Sequence, residues 1–199
     1  MNNAQKKRIG ILGAGTWGRA ISLFWAKMGY EVYLWSFEFS VSSSLLNGVS
    51  LNNLFFGSII PDSINITGKI EDVFINADTI FDCIPNMYLR DTISNGLPFF
   101  DRDRHRFIST SRGLELDTGM FSFEIIQEMF HPKFPTLLFC GPTDPKDIAL
   151  NNFCNALIAS DDQSTIDNFV KEIKGISNIK FLQINDILAG SIICSLEAC

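Results

Sequence analysis

The chain has 199 residues, of which 46% are hydrophobic and 19% charged, and its net charge is −6. That is enough apolar chain for one sizeable core, and it excludes a disordered polymer. No basic block follows Lys6-Lys7-Arg8, which argues against nucleic acid as the main partner.

The first predicted strand, Arg8–Leu12, runs into Gly13-Ala14-Gly15-Thr16-Trp17-Gly18. A helix over Trp17–Met28 and a second strand over Glu31–Trp35 follow. Strand, glycine turn, helix and strand in that order define a dinucleotide-binding βαβ unit. Gly13 allows the tight turn, Gly15 lets backbone approach a pyrophosphate, and Gly18 lets the helix pack closely. The anion would sit on free N–H groups at the helix N-terminus. Further strands are predicted over Ser63–Thr67, Asp78–Ile84, Arg106–Thr110, Pro135–Cys140, Asn155–Ala159 and Ile179–Gln183. Helices are predicted over Arg90–Gly96, Gly119–Phe130, Ser164–Lys174 and Asp186–Cys199. Pro85-Asn86, Gly141-Pro142 and Asp144-Pro145 read as turns. Short apolar strands alternating with helices indicate an α/β fold, a doubly wound Rossmann-like parallel sheet.

No stretch is long and apolar enough to span a bilayer. The apolar run behind the basic start breaks at glycines, unlike a signal peptide, so a cytoplasmic protein is expected. Cys83, Cys140, Cys154, Cys194 and Cys199 are scattered, odd in number and without a C-x-x-C pair, and are read as free thiols. His105 and His131 have no ligand-spaced partner, so no metal site is expected. The 18 phenylalanines fill a core or belong in part to an interface, a homodimer being one possibility.

Ligands in such folds bind outside the carboxyl ends of the strands. Phe37 and Glu38 follow the second strand. A carboxylate there suits the ribose hydroxyls of NAD, whereas a cation would suit NADP; Glu38 leans to NAD but reads equally well as a solvated surface glutamate. Pro85 follows the fourth strand and is placed against the nicotinamide ribose. Ser109–Glu115, with Arg112 at its centre, follows the fifth, and Gly141 and Thr143 follow the sixth. Together these ends outline one cleft.

The motif set resembles the NAD(P)-dependent glycerol-3-phosphate dehydrogenases of the bacterial type. Gly13–Gly18 resembles the family's G-A-G-x-W-G, including its tryptophan. Glu31–Trp35 resembles E-V-x-L-W, Gly57 with Pro61 fits G-x-x-L-P, and Cys83–Asn86 resembles A-V-P-S. Ser109–Glu115 with Thr118-Gly119 resembles S-x-S-K-G-L-E-x-x-T-G. Cys140–Thr143 resembles S-G-P-S, and Asn185-Asp186 resembles the N-D ahead of the family's second domain. The resemblance implies a dinucleotide-binding domain over residues 1–184 and the start of a helical substrate domain over 185–199, truncated here. It implies NAD or NADP as cofactor and dihydroxyacetone phosphate, or sn-glycerol 3-phosphate, as substrate. Gly141, Thr143 and Arg112 would face the substrate. Phospholipid precursor synthesis is the metabolic setting it implies.

Two departures bear on catalysis. Arg112 and Glu197 stand where the family has lysines. Arginine keeps the charge but holds its proton at neutral pH, so it is a poor proton shuttle. Glu197 reverses the charge and would repel a substrate phosphate. One alternative is therefore a family member that binds dinucleotide without turning over. Another two-domain dehydrogenase, such as a ketopantoate reductase, shares the glycine turn but is disfavoured by Ser109–Glu115.

Overall fold

The computed structural model describes residues 7–37, 55–176 and 178–196. The described strands are β1 (Arg8–Leu12), β2 (Glu31–Trp35), β3 (Ile64–Thr67), β4 (Thr79–Asp82), β5 (Arg106–Ser109), β6 (Thr136–Cys140), β7 (Cys154–Ala159) and β8 (Ile179–Ile184). They form one sheet in the order β3-β2-β1-β4-β5-β6-β7-β8. The order reverses between β1 and β4, the switch point at which a doubly wound fold opens its ligand crevice.

The helices are α1 (Thr16–Lys27), α2 (Ile70–Asn76), α3 (Asn86–Gly96), α4 (Ser122–Phe130), α5 (Pro145–Leu150), α6 (Gln163–Glu172) and α7 (Ile187–Leu196). One face of the sheet is covered through Ile21 and Leu23 of α1, Ile148 and Ala149 of α5, and Ile166 and Phe169 of α6. The other is covered through Val73 and Phe74 of α2, Leu89 and Ile93 of α3, and Ile125 and Ile126 of α4. Coverage on both faces explains why β4 and β6 are buried along their whole length and read as unbroken apolar runs. Phenylalanine fills much of this core. Phe100 stacks on Phe130 at 3.9 Å between ring centroids, and Phe107 and Phe134 pack against the pair.

The sheet departs from the expected parallel arrangement at one pair: β7 runs antiparallel to β6, with Cys140 opposite Leu157. The connection explains it. Between the two strands the helix, Pro145–Leu150, has 6 residues, roughly 9 Å of axial rise, too short to carry the chain back to the far end of the sheet. The ends of β7 and β8 therefore point away from the ends of β1, β4, β5 and β6.

Two helices lie where none is predicted. In α2, Ile70, Val73 and Phe74 are buried at helical spacing over only 7 residues. In α5, Asp144-Pro145 is a helix start rather than a turn: the Asp144 carboxylate accepts from Lys146 N at 2.7 Å and Pro145 occupies the first turn. The last helix, α7, is buried on one side only. Ile187, Gly190, Ser191 and Cys194 face the sheet, while Leu188, Ile192, Ile193 and Leu196 are exposed.

Asp162 caps α6, accepting from Ser164 N and from the Ser164 and Thr165 hydroxyls. The Thr165 hydroxyl, followed by that of Ser164, holds its carboxyl below the usual carboxylate range. Its stabilisation is therefore present above about pH 4 and is lost as the pH falls through the folded value. Asp162→Ala is expected to cost about 1 kcal/mol at pH 7. Denaturant midpoints at pH 7 and pH 3 check this, the difference between the two proteins shrinking at the lower pH.

Candidate functional site

A cleft of about 470 Å³ opens at the carboxyl ends of β1, β4, β5 and β6. Gly15, Thr16 and Trp17 line it from β1, Cys83, Ile84 and Pro85 from β4, and Thr110, Ser111 and Arg112 from β5. Cys140, Thr143 and Pro145 close it from β6. A second cavity of about 430 Å³ lies at the opposite end of the strands, where Arg102, Arg106 and Lys133 are interleaved with Asp103, Asp162 and Glu172. The first cavity is the one at the end of the sheet where this fold binds ligands.

The three glycines of the turn differ in their surroundings. Gly13 has φ +108°, and a Cβ there would meet the Cys83 carbonyl oxygen at 2.5 Å. At Gly18 a Cβ would stand 1.9 Å from the Gly13 carbonyl oxygen. At Gly15 a Cβ would meet no protein atom within 4 Å. The first two glycines are thus required by the protein's own packing. The third leaves open space over the start of α1, as a site for a close-lying ligand requires. No side chain caps α1 and its first turn holds no acidic residue, so its amide donors and the positive end of its dipole are available to an anion. The Trp17 ring stacks on Phe139 at 6.0 Å.

Asp82 lies beneath the β5 side of the cleft and is fully buried. Its Oδ1 accepts from Thr110 N at 2.5 Å, from Ser111 N at 3.0 Å and from Ser111 Oγ at 3.3 Å. The Thr110 hydroxyl donates to the Asp82 carbonyl and the Ser111 hydroxyl to the Ile84 carbonyl. Asn86 Nδ2 donates to Gly113 O at 2.6 Å. Further along, Arg90 grips the Glu115 carboxylate with Nε at 3.1 Å and Nη2 at 3.0 Å. That pairing holds Glu115 below the usual carboxylate range.

Burial pushes the Asp82 carboxyl up to about 7, against the opposing effect of the Thr110 and Ser111 amides. A folded value above the ordinary one makes its contribution to stability greatest below about pH 4 and lost as the pH rises through about 7. Wild-type stability should therefore fall between about pH 4 and pH 7, by up to about 1.4 kcal/mol per unit, relative to Asp82→Asn. Paired urea denaturation curves across that range read the difference. Burial likewise pushes the Cys83 thiol up, so it lines the cleft as a neutral group and not as a nucleophile.

The structure brings most of the sequence-derived candidates together. Gly15, Thr16, Trp17, Pro85, Arg112 and Thr143 line the cleft, with Gly13 and Gly18 directly under it. The Gly141 carbonyl accepts from Arg112 Nη2 at 2.9 Å, and the Thr143 hydroxyl donates to the Asn155 carbonyl. Phe37 is 86% exposed, with its ring edge-on to Trp35 at 6.3 Å, and does not line the cleft. Glu38 and Glu197 lie outside the described residues. Asp82, Asn86 and Arg90 escaped the sequence reading. Only Asp82 left a signal, a charged residue closing the apolar run Thr79-Ile80-Phe81.

One expectation about cysteine needs correction. Cys140 and Cys194 are joined as a disulfide, with Cα atoms 6.4 Å apart. They are 54 residues apart in sequence and meet because α7 packs on Leu138, Leu157 and Ala159 beside the end of β6. Cys83 and Cys154 are free, and Cys199 lies outside the described residues.

A 3-2-1-4-5-6 sheet with a glycine turn at its switch point and an uncapped helix N-terminus over open space defines a Rossmann-type dinucleotide-binding domain. The family profile described as NAD-dependent glycerol-3-phosphate dehydrogenase N-terminus matches residues 8–166, and the chain belongs to that family. The glycerol-3-phosphate dehydrogenase (NAD(P)+) of Koribacter versatilis is 30% identical over 160 residues, covering 78% of this chain and 47% of the relative. That of Actinobacillus pleuropneumoniae is 24% identical over 189 residues, covering 94% and 56%. The crystal structure of glycerol-3-phosphate dehydrogenase from Coxiella burnetii superposes with a TM-score of 0.85 at 20% identity, over 95% of this chain and 57% of that one. The enzyme from Plasmodium falciparum gives 0.79 at 22% identity, over 94% and 55%. The chain thus spans about half the length of the relatives it matches. The family is made up of NAD(P)-dependent oxidoreductases, and no described helix is long and apolar enough to cross a membrane.

Proposed function

We propose that this chain is the cofactor-binding part of an NAD(P)-dependent glycerol-3-phosphate dehydrogenase. The proposed reaction interconverts dihydroxyacetone phosphate and sn-glycerol 3-phosphate. The observation that carries the proposal is the open space above Gly15 at the uncapped start of α1, facing Pro85 and Arg112 across one cleft. The amides at the start of α1 would take the pyrophosphate, and Trp17 and Pro85 would hold the cofactor against the sheet. The nicotinamide supplies hydride donor and acceptor chemistry when bound. Arg112 would place a fixed cation beside the substrate oxygen or phosphate, which orients an anion but does not shuttle a proton. Gly141 and Thr143 would complete the substrate side, and Glu38 would meet the adenosine ribose. We place the domain boundary at 184/185, with α7 opening the substrate domain. A cytoplasmic setting, a homodimer and a role in supplying phospholipid precursors belong to the same proposal and rest on the family resemblance.

Arg112 also favours a second reading, a member of the family that binds cofactor without turnover. Reduction of dihydroxyacetone phosphate by the purified chain, followed by NADH absorbance, separates the two. The absence of a lysine at position 112 predicts negligible turnover from these 199 residues despite NADH binding. Turnover well above background that survives Arg112→Ala would show that the proton is handled elsewhere and would remove the second reading.

A further inference from the structure

Chain positions 110–113 carry the part of the cleft opposite the glycine turn, yet little sheet hydrogen bonding holds them. β5 ends at Ser109, and the next two amides, those of Thr110 and Ser111, converge on a single oxygen of Asp82. Without that acceptor two amides at the foot of the cleft would be left unpaired, a costly arrangement away from water. The same loop is tied at its far side by Asn86 to the Gly113 carbonyl. A polar chain continues below it from the Ser109 hydroxyl to the Ser122 hydroxyl of α4. On the β4 side the loop bonds Asp82, Cys83, Ile84 and Asn86. Elsewhere, besides the Arg112 side chain on the Gly141 carbonyl, it has one longer tie to α4, from Ser122 Oγ to Ser111 O at 3.4 Å, and one to α7, from Gly113 N to Ser195 Oγ at 3.3 Å. Its position is thus set mainly by β4 and the start of α3.

We propose that Asp82 is a positioning residue that fixes the Thr110–Arg112 loop for the nicotinamide half of the cofactor, leaving the pyrophosphate half to the glycine turn. The proposal rests on the dinucleotide reading above. A buried carboxyl group is costly, and the three hydrogen bonds that Asp82 Oδ1 accepts all come from one short loop, which a purely apolar residue at the end of β4 could not hold. A ligand reaching from Gly15 to Arg112 depends on that loop. A ligand that stops at the second ribose does not.

The test compares NADH with ADP-ribose, which lacks the nicotinamide, by calorimetric titration of the full chain. Asp82→Ala should weaken NADH at least tenfold and change ADP-ribose less than twofold, while Asp82→Asn, which keeps the acceptor oxygen, should restore NADH to within threefold of wild type. Ser111→Ala removes two of the ties without emptying the core, so it covers the case in which Asp82→Ala does not fold, and it should weaken NADH alone by a few-fold. Equal loss of both ligands, or no loss of either, in a wild-type background that binds both would overturn the role of Asp82. Failure of the wild-type chain to bind either ligand would instead overturn the dinucleotide reading, and this proposal with it.

Discussion

Gly18→Ala is expected to destabilise the chain by at least about 3 kcal/mol. The added Cβ would sit 1.9 Å from the Gly13 carbonyl oxygen, with Cys83 Cβ at 3.3 Å behind it. A clash with backbone has no flexible end to move aside. Relief requires α1 to lift from the ends of β1 and β4, which opens the core around Ile21 and Leu23, both completely buried. For a domain of this size the loss corresponds to roughly 6–12 °C in the unfolding midpoint. Calorimetry of the variant checks it, and a midpoint within about 1 °C of wild type would show that the turn has slack the structure does not display.

Gly15→Ala is expected to do the reverse. Its φ is −65°, which alanine adopts freely, and a Cβ there meets nothing within 4 Å. Stability should change by less than about 0.5 kcal/mol. The methyl group would instead occupy the space above the start of α1, where the pyrophosphate has to approach the amides. Affinity for NADH should fall at least about tenfold, or 1.4 kcal/mol. Two alanine substitutions three residues apart are thus predicted to separate folding from binding, one destroying the first and the other the second.

The regular parts of the fold were readable because their signals are local. The glycine turn and the apolar strand runs each specify an element within a dozen residues. The antiparallel step at β7 was not readable, because it depends on how far six residues of α5 can carry the chain. α2 was missed because its buried residues span little more than one turn, and α5 because a capping aspartate before proline looks like an ordinary turn. At the site, the cleft-lining positions followed from the rule that ligands sit at strand carboxyl ends. The residues that hold the lining in place did not follow, since Asp82 and Asn86 act through contacts 27 to 29 positions away in sequence. The bridge between Cys140 and Cys194 escaped for the same reason: nothing in the spacing of the cysteines shows that α7 returns to the end of β6.

The central claim is that the cleft over Gly15 takes a dinucleotide. Thermal unfolding of the wild-type chain with and without 1 mM NADH, roughly 100 times a dissociation constant of about 10 μM, tests it most directly. Binding to the native state alone then adds about 2.7 kcal/mol. The account predicts a midpoint raised by several degrees for wild type and by no more than about half as much for Gly15→Ala; an unchanged wild-type midpoint would contradict it.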